Sequence, residues 1–239
     1  MGFLASLEGV LLSCTNNCHP NSKGIITQSK KWNNKNHAFI TQALEGTYFA
    51  EFVLAKDLFG KERATTKEVL ERTNAKVCFN GSFFEKDSSP SGFYVHKGTL
   101  LHEYVSGKGD GILYLNRKNT LSVVPFSEFS KIKSEVVSAL QLNLLRYKSV
   151  PNYPFLPDSP CLPRNFIGFF EECLVNVIFK NTNFTKGDIY MKESHSCFTV
   201  AALDGGPSAS AFDSSGKSSF KEGDVSEVPV PNFIVLYER

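Results

Sequence analysis

The chain has 239 residues, 41% of them hydrophobic and 13% aromatic, enough material for a sizeable core. Lys and Arg number 26 against 24 Asp and Glu, and a net charge of +2 excludes a strongly basic nucleic-acid surface. No apolar run approaches the ~20 residues that cross a bilayer as a helix, so no transmembrane segment is expected.

The N-terminus carries two weak targeting patterns. Leu11-Leu12-Ser13-Cys14 resembles a lipoprotein cleavage box, but Glu8 interrupts the apolar region before it. Met1-Gly2-Phe3-Leu4-Ala5-Ser6 matches the minimal myristoylation pattern. The compartment is left open. Residues 15–37 are rich in Asn, Lys and Ser and read as a mobile arm or long loop, so the chain divides into an arm over 1–44 and one domain over 45–239. Six cysteines are too scattered for a disulfide framework: Cys78, Cys173 and Cys197 read as buried thiols. Cys14 and Cys18 read as surface thiols or a local disulfide, because no second half-site follows at zinc-finger spacing.

Thr47–Leu54 is the first convincing strand, followed by a polar connection over 56–64. Thr65-Thr66-Lys67-Glu68 has capping-box spacing and opens a short helix, after which Ala75–Asn80 is an apolar run of strand type. Lys97-Gly98 gives 92–101 a hairpin turn, and 112–115 with 121–124 form another hairpin. Residues 136–145 fit a strand or a helix, and five prolines between 151 and 163 imply a surface loop. Glu171-Glu172 separates two further strands, Thr185 and Asp188 repeat the cap spacing, and 198–203 and 231–237 are strands. Many strands and few helices make an α+β single domain with a mixed or mostly antiparallel sheet.

One device occurs twice. A helix leads to a short apolar run, which ends in a polar residue and a glycine: Asn80-Gly81-Ser82 and Asp204-Gly205-Gly206-Pro207-Ser208. Glycines there let the backbone approach a ligand, and a carboxylate at a strand's end faces the opening. Asp-Gly is equally a common turn dipeptide. Strand ends are rigidly placed, so the two turns are expected to share one cleft, within about 10 Å, with Arg164 pointing into it.

Several motifs fail on inspection. Gly216-Lys217-Ser218 has a Walker-type tail, but Ala211 stands where the first glycine belongs. Gly107-Lys108-Gly109-Asp110-Gly111 is followed by a strand rather than a helix and reads as a turn. Gly206-Pro207-Ser208-Ala209-Ser210 approaches a nucleophile elbow but lacks its final glycine. What remains is an opening lined by Asp204, Gly205, Gly206, Ser208, Asn80 and Gly81. Glycine-turn N–H groups and a serine hydroxyl suit phosphate oxygens, and one carboxylate suits proton transfer. From the residues alone, Arg164 reads as a surface cation at a strand start, though a guanidinium there also fits a phosphate.

Asn80-Gly-Ser-Phe-Phe84, Pro90-x-Gly92, Lys97-Gly-Thr-Leu100, Ala139-Leu-Gln141, Arg164-x-x-Ile-Gly168 and Ala202-Leu-Asp-Gly-Gly-x-Ser208 occur in this order. Over about residues 45–239 this resembles the phosphodiester glycosidase family. Pro207 stands where that family usually has glycine. The resemblance implies hydrolysis of the bond between a sugar's anomeric carbon and a phosphodiester oxygen, through an oxocarbenium-like transition state. It implies Asp204 as the principal acid/base or ion-stabilising group, with Asn80 positioning sugar or water and Glu85 as a second carboxyl. Arg164, Gly81, Gly205, Gly206 and Ser208 would hold the phosphate, with Gln141 and His96 also at the substrate. The expected partner is a small molecule or glycan bearing a sugar-1-phosphodiester, in an extracytoplasmic or secreted setting. No cofactor is assigned, and a divalent metal stays open because the carboxylates show no tight ligand spacing. Two other classes stay open: a glycosidase acting on a phosphate-free linkage, and a non-catalytic binder of sugar phosphates or nucleotides.

Overall fold

The computed structural model describes residues 24–33, 36–152, 160–219 and 227–239. In chain order the strands are β1 (Ile25–Asn33), β2 (Asn36–Leu44), β3 (Tyr48–Leu54), β4 (Val77–Asn80), β5 (Tyr94–His96), β6 (Thr99–His102), β7 (Gly111–Asn116) and β8 (Leu121–Pro125). They continue as β9 (Val136–Tyr147), β10 (Val150–Pro151), β11 (Leu162–Phe170), β12 (Cys173–Thr182), β13 (Thr199–Ala202), β14 (Ala211–Asp213) and β15 (Asn232–Glu238). The helices are α1 (Ala55–Phe59), α2 (Thr66–Thr73), α3 (Phe126–Phe129) and α4 (Phe184–His195). The chain is an α+β domain whose strands all pair antiparallel.

A large sheet runs β1-β2-β12-β11-β13-β9-β5-β6, with β7 and β10 also on β9 and β8 on β7. A second sheet, β14-β4-β15-β3, lies over it. Between them sits the main core, to which Phe52, Phe79 and Ile234 contribute from the small sheet and Phe39, Leu140 and Ile167 from the large one. This is the layered solution open to sheets that are apolar on one face. Outside, α4 covers one half of the large sheet through Phe166, Phe179, Met191 and Val200. α1 and α2 cover the small sheet through Val53, Val69, Cys78 and Phe233.

Local signals place most elements. Thr65 caps α2 as expected, accepting from Glu68 N–H at 3.1 Å while Glu68 Oε2 accepts from Thr65 N–H at 2.7 Å. Lys97 and Gly98 turn the β5–β6 hairpin with φ of 48° and 82°, both in the left-handed region. The ambiguous 136–145 is a strand, since Leu140, Leu142 and Leu144 alternate into the core while β7 and β13 pair alongside.

Four expectations change. The arm expected over 15–37 is, from Ile25 onward, a strand paired with β2, which in turn pairs β12. Its Lys and Ser residues belong to the terminal strand of the order, where lysines discourage further pairing, so loop-like composition here marks a sheet edge. Residues 1–23, with both targeting patterns and Cys14 and Cys18, lie outside the described residues. The polar connection over 56–64 begins as α1. Asn183 rather than Thr185 caps α4, accepting from Lys186 N–H at 2.9 Å. Asp188 is instead buried under the helix, bound by Arg146 of β9 through two bonds of 2.9 and 2.6 Å. Cys78 and Cys197 are buried free thiols as expected, whereas Cys173 is disulfide-bonded.

Candidate active site

The two glycine turns come from different sheets, β4 from the small and β13 from the large, and they meet. Asp204 N–H donates to the Gly81 carbonyl at 3.1 Å, and Asn80 Nδ2 donates to the Asp204 carbonyl at 2.9 Å. The expected shared location therefore holds, but the side chains divide the work unequally. Asn80 is 1% exposed, and its Oδ1 accepts from Asn165 Nδ2 at 2.9 Å and from Ser210 N–H at 3.0 Å. An amide so enclosed stitches the layers together and holds Asp204, and it does not face a ligand as a group positioning sugar or water would.

Asp204 is half-buried. Burial pushes its pKa up to about 6, because a carboxylate loses hydration there. A hydrogen bond from the Ser208 hydroxyl and one from Gly205 N–H to Oδ1 at 2.9 Å pull the other way. Ser208 sits in the short 3₁₀ turn that Gly206 opens with a φ of 61°, and Pro207 is exposed at its start. Pro207 has no N–H to offer, so the amides available to an anion are those of Gly205, Gly206 and Ser208. Two are engaged: Gly205 N–H by the carboxylate, and Ser208 N–H by the Gly205 carbonyl at 3.3 Å.

Arg164 lies directly against this turn. A Cβ at Gly205 would stand 3.1 Å from the Pro163 carbonyl and 3.4 Å from Arg164 Cδ, so the glycine is what lets the arginine close in. The guanidinium stacks 4.1 Å over the Phe184 ring and donates one Nη2 bond of 3.2 Å to the Pro160 carbonyl. Its buried Nε has no hydrogen-bond partner among the described residues. Burial lowers its pKa. The cation is thus held flat on an aromatic face beside the glycine turn.

The remaining expected residues go elsewhere. Gly81 is a tight crossing: a Cβ there would fall 2.1 Å from Asn232 Oδ1, which accepts from Ser82 N–H at 2.7 Å. Gln141 is wholly occupied inside the protein, accepting from Phe93 N–H at 2.8 Å and donating to the Val105 and Gly109 carbonyls at 2.7 and 2.6 Å. Glu85 is exposed, and a hydrogen bond from Ser91 Oγ, with Lys108 beside it, holds its pKa below the usual range. His96 pairs through Nε2 with Asp57 Oδ2 at 2.9 Å, bracing β5 to α1. Gln141 and His96 thus serve the frame through the contacts they make, and Glu85 serves its own loop. Asn165, Asn176 and Asn232, which composition does not distinguish from core-strand polar residues, turn out to fasten the two turns.

Among the described residues no group of three His, Cys, Asp or Glu side chains could hold a metal ion, and no helix is long and apolar enough to cross a membrane. An apolar cleft of about 590 Å³ lies between the β5–β6 hairpin and α3, lined in part by Phe93, Leu100, Phe126, Phe129 and Lys133. None of the site residues above lines it, so it is set apart from the chemistry.

No protein-family model and no curated protein matches the chain. Solved structures do. The catalytic domain of zebrafish N-acetylglucosamine-1-phosphodiester alpha-N-acetylglucosaminidase, in a form auto-inhibited by its pro-peptide, superposes with a TM-score of 0.64 at 13% identity, over 93% of this chain and 86% of that one. A hypothetical protein from Synechocystis matches with a TM-score of 0.66 at 11% identity, over 90% of this chain and 62% of that one. An exported protein from Burkholderia pseudomallei matches with a TM-score of 0.57 at 10% identity, over 84% and 74%. What is shared is the fold. At these identities the likeness says nothing about which side chains act.

Proposed function

We propose that the turn Asp204-Gly205-Gly206, with Ser208 and Arg164, is the active site of a hydrolase that cleaves the bond between a sugar's anomeric carbon and a phosphodiester oxygen. The observation that carries this reading is a single raised carboxyl on a turn against which Arg164 lies, its buried Nε without a partner among the described residues. Of the carboxyls with displaced pKa values among the described residues, Asp204 is the one pushed up, while Glu68, Glu85, Asp87 and Asp213 are held down. Cleavage of an ordinary glycoside calls for two carboxyls, one of them a proton donor to a poor leaving group. A phosphate leaves with little protonation, so one carboxyl suffices. Glu85, held ionised on its exposed loop, is badly suited to donate a proton.

In this reading the Arg164 guanidinium takes the phosphate oxygens, using the fork geometry a lysine lacks. Asp204, ionised above pH ~6, stabilises the developing oxocarbenium charge or draws a proton from the attacking water. Ser208 keeps the carboxylate in one orientation. The shared fold with a phosphodiester glycosidase catalytic domain supports the assignment at the level of architecture.

The test is incubation of the pure protein with a panel of sugar-1-phosphodiesters and matched phosphate-free glycosides, with products followed by mass. Release of free sugar from the phosphodiesters alone is the expected result. Equal turnover of both sets would favour an ordinary glycosidase, and tight binding without turnover a sugar-phosphate binder.

A further inference from the structure

We infer that Asn165 and Asn176 are positioning residues of this site, acting through a one-directional chain of side-chain amides that ends on Asp204. The inference rests on Asp204 being the acting group. The chain starts on β12, where Asn176 Nδ2 donates to Asn165 Oδ1 at 2.6 Å. Asn165 of β11 donates from Nδ2 to Asn80 Oδ1 at 2.9 Å and to the Asn80 carbonyl at 3.2 Å. Asn80 of β4 donates from Nδ2 to the Asp204 carbonyl at 2.9 Å. Every link points the same way, from the interior of the large sheet, across to the small sheet, and out to the turn.

Burial makes the chain strict. Asn165 and Asn176 are fully buried and Asn80 nearly so, so water does not compete for their bonds, and amides in series polarise one another. The chain is also branched where the site needs it. Asn80 Oδ1 accepts from Ser210 N–H at 3.0 Å, fixing the segment that follows Ser208, and the Asn165 carbonyl accepts from Leu203 N–H at 2.9 Å, fixing the residue before Asp204. Three fully buried or nearly buried amides in apolar strands are costly unless they serve a purpose, because branched aliphatics would fill the same volume without needing partners. Here they set both ends of the turn that presents the carboxyl. Second-layer amides of this kind decide whether a catalytic group stands in place or merely nearby.

The decisive measurement needs no variant. The wild-type protein is titrated from pH 4 to pH 8 while the Asp204 carboxyl carbon and the side-chain amide signals of Asn80, Asn165 and Asn176 are followed by NMR. Arg164 is the charged side chain against this turn and stays charged over that range, so a shared midpoint reports Asp204. The Asn80 and Asn165 amides should move with the Asp204 midpoint, with amplitude falling toward Asn176, while the Gln141 amide, bonded elsewhere, stays flat. Amides that stay flat while Asp204 titrates would overturn the inference. Asn176→Leu then removes the outermost link without touching the turn: kcat on the phosphodiester should fall about tenfold with KM nearly unchanged and the pH–rate midpoint displaced. An unchanged kcat and pH profile in that folded variant would equally sink it. If instead the amides titrate and no phosphodiester is cleaved, the positioning chain stands and the proposed function fails.

Discussion

Asn80 is the last residue of one fully buried four-residue strand and Asp204 stands two residues past another, and the glycine after each is a point of close approach. In the first turn the space belongs to Asn232, a neighbouring strand of the same sheet. In the second it belongs to the Pro163 carbonyl and Arg164, at the point where the proline-rich segment joins β11. The contrast shows that a strand-end glycine marks proximity and leaves its purpose to the neighbour. A buried amide closes the first turn into the core, whereas an arginine whose buried Nε has no partner among the described residues lies against the second.

The contrast breaks first at Asp204. Asp204→Asn keeps the shape and should lower phosphodiester hydrolysis by ~10²-fold or more, read as initial rates. Its stability effect has a definite sign. The folded pKa of about 6 lies above the ordinary 3.8, so the favourable contribution of the protonated form is complete at low pH and is lost as pH rises through 6. The variant, having no charge to bury, should unfold at a higher temperature than wild type at pH 7.5 and match it near pH 3. A wild-type rate that did not fall as pH dropped through about 6 would count against an ionised Asp204 as the acting form.

The first turn should fail in the opposite currency. Asn80→Ala strands the donors of Asn165 and Ser210 and the Asp204 carbonyl, and should cost about 3 kcal/mol in denaturant unfolding, the scale of several buried groups left unpaired. Full stability with lost activity would make Asn80 a chemical group after all and erase the difference between the turns. Arg164→Lys comes next, with about a tenfold loss on a phosphodiester, since charge is kept but the fork is gone. A matching loss on a phosphate-free glycoside would detach Arg164 from phosphate.

The smallest effects come from the glycines, and they sharpen the comparison best. Gly81→Ala puts a methyl 2.1 Å from Asn232 Oδ1 and should destabilise visibly in a thermal melt. Gly205→Ala meets contacts of 3.1 and 3.4 Å, one of them on a flexible arginine, and should leave the melting temperature within a few degrees. Its cost should appear as a few-fold rise in KM as Arg164 is displaced. Equal melting temperatures for the two variants would mean that the turns are built alike.

Legibility followed locality. The capping box of α2, the Lys97-Gly98 hairpin and the apolar runs of β3, β7 and β15 depend on residues near each other in sequence, and these elements stand where local pattern places them. β1 was hidden because a lysine-rich edge strand and a solvated loop share one composition, and only the β1–β2 pairing tells them apart. Glu85, His96 and Gln141 entered as site residues through the family resemblance rather than through any local signal of their own. Their partners Ser91, Asp57 and Val105 lie six to 39 positions away.

From the sequence alone came the fold class, the position of both strand-end turns, and the chemical types gathered there: a carboxyl, three glycines, a serine and an arginine. These follow from hydrophobic periodicity and backbone freedom, which act over a few residues. Which of the two polar strand ends would be fully buried, and which would stay half-buried with a carboxyl of raised pKa, was decided by the stacking of one sheet on the other. That stacking brought Asn165 to Asn80 across 85 positions and laid Arg164 beside Gly205. Desolvation depends on the atoms that fold over a group, and those came from strands far away in the chain.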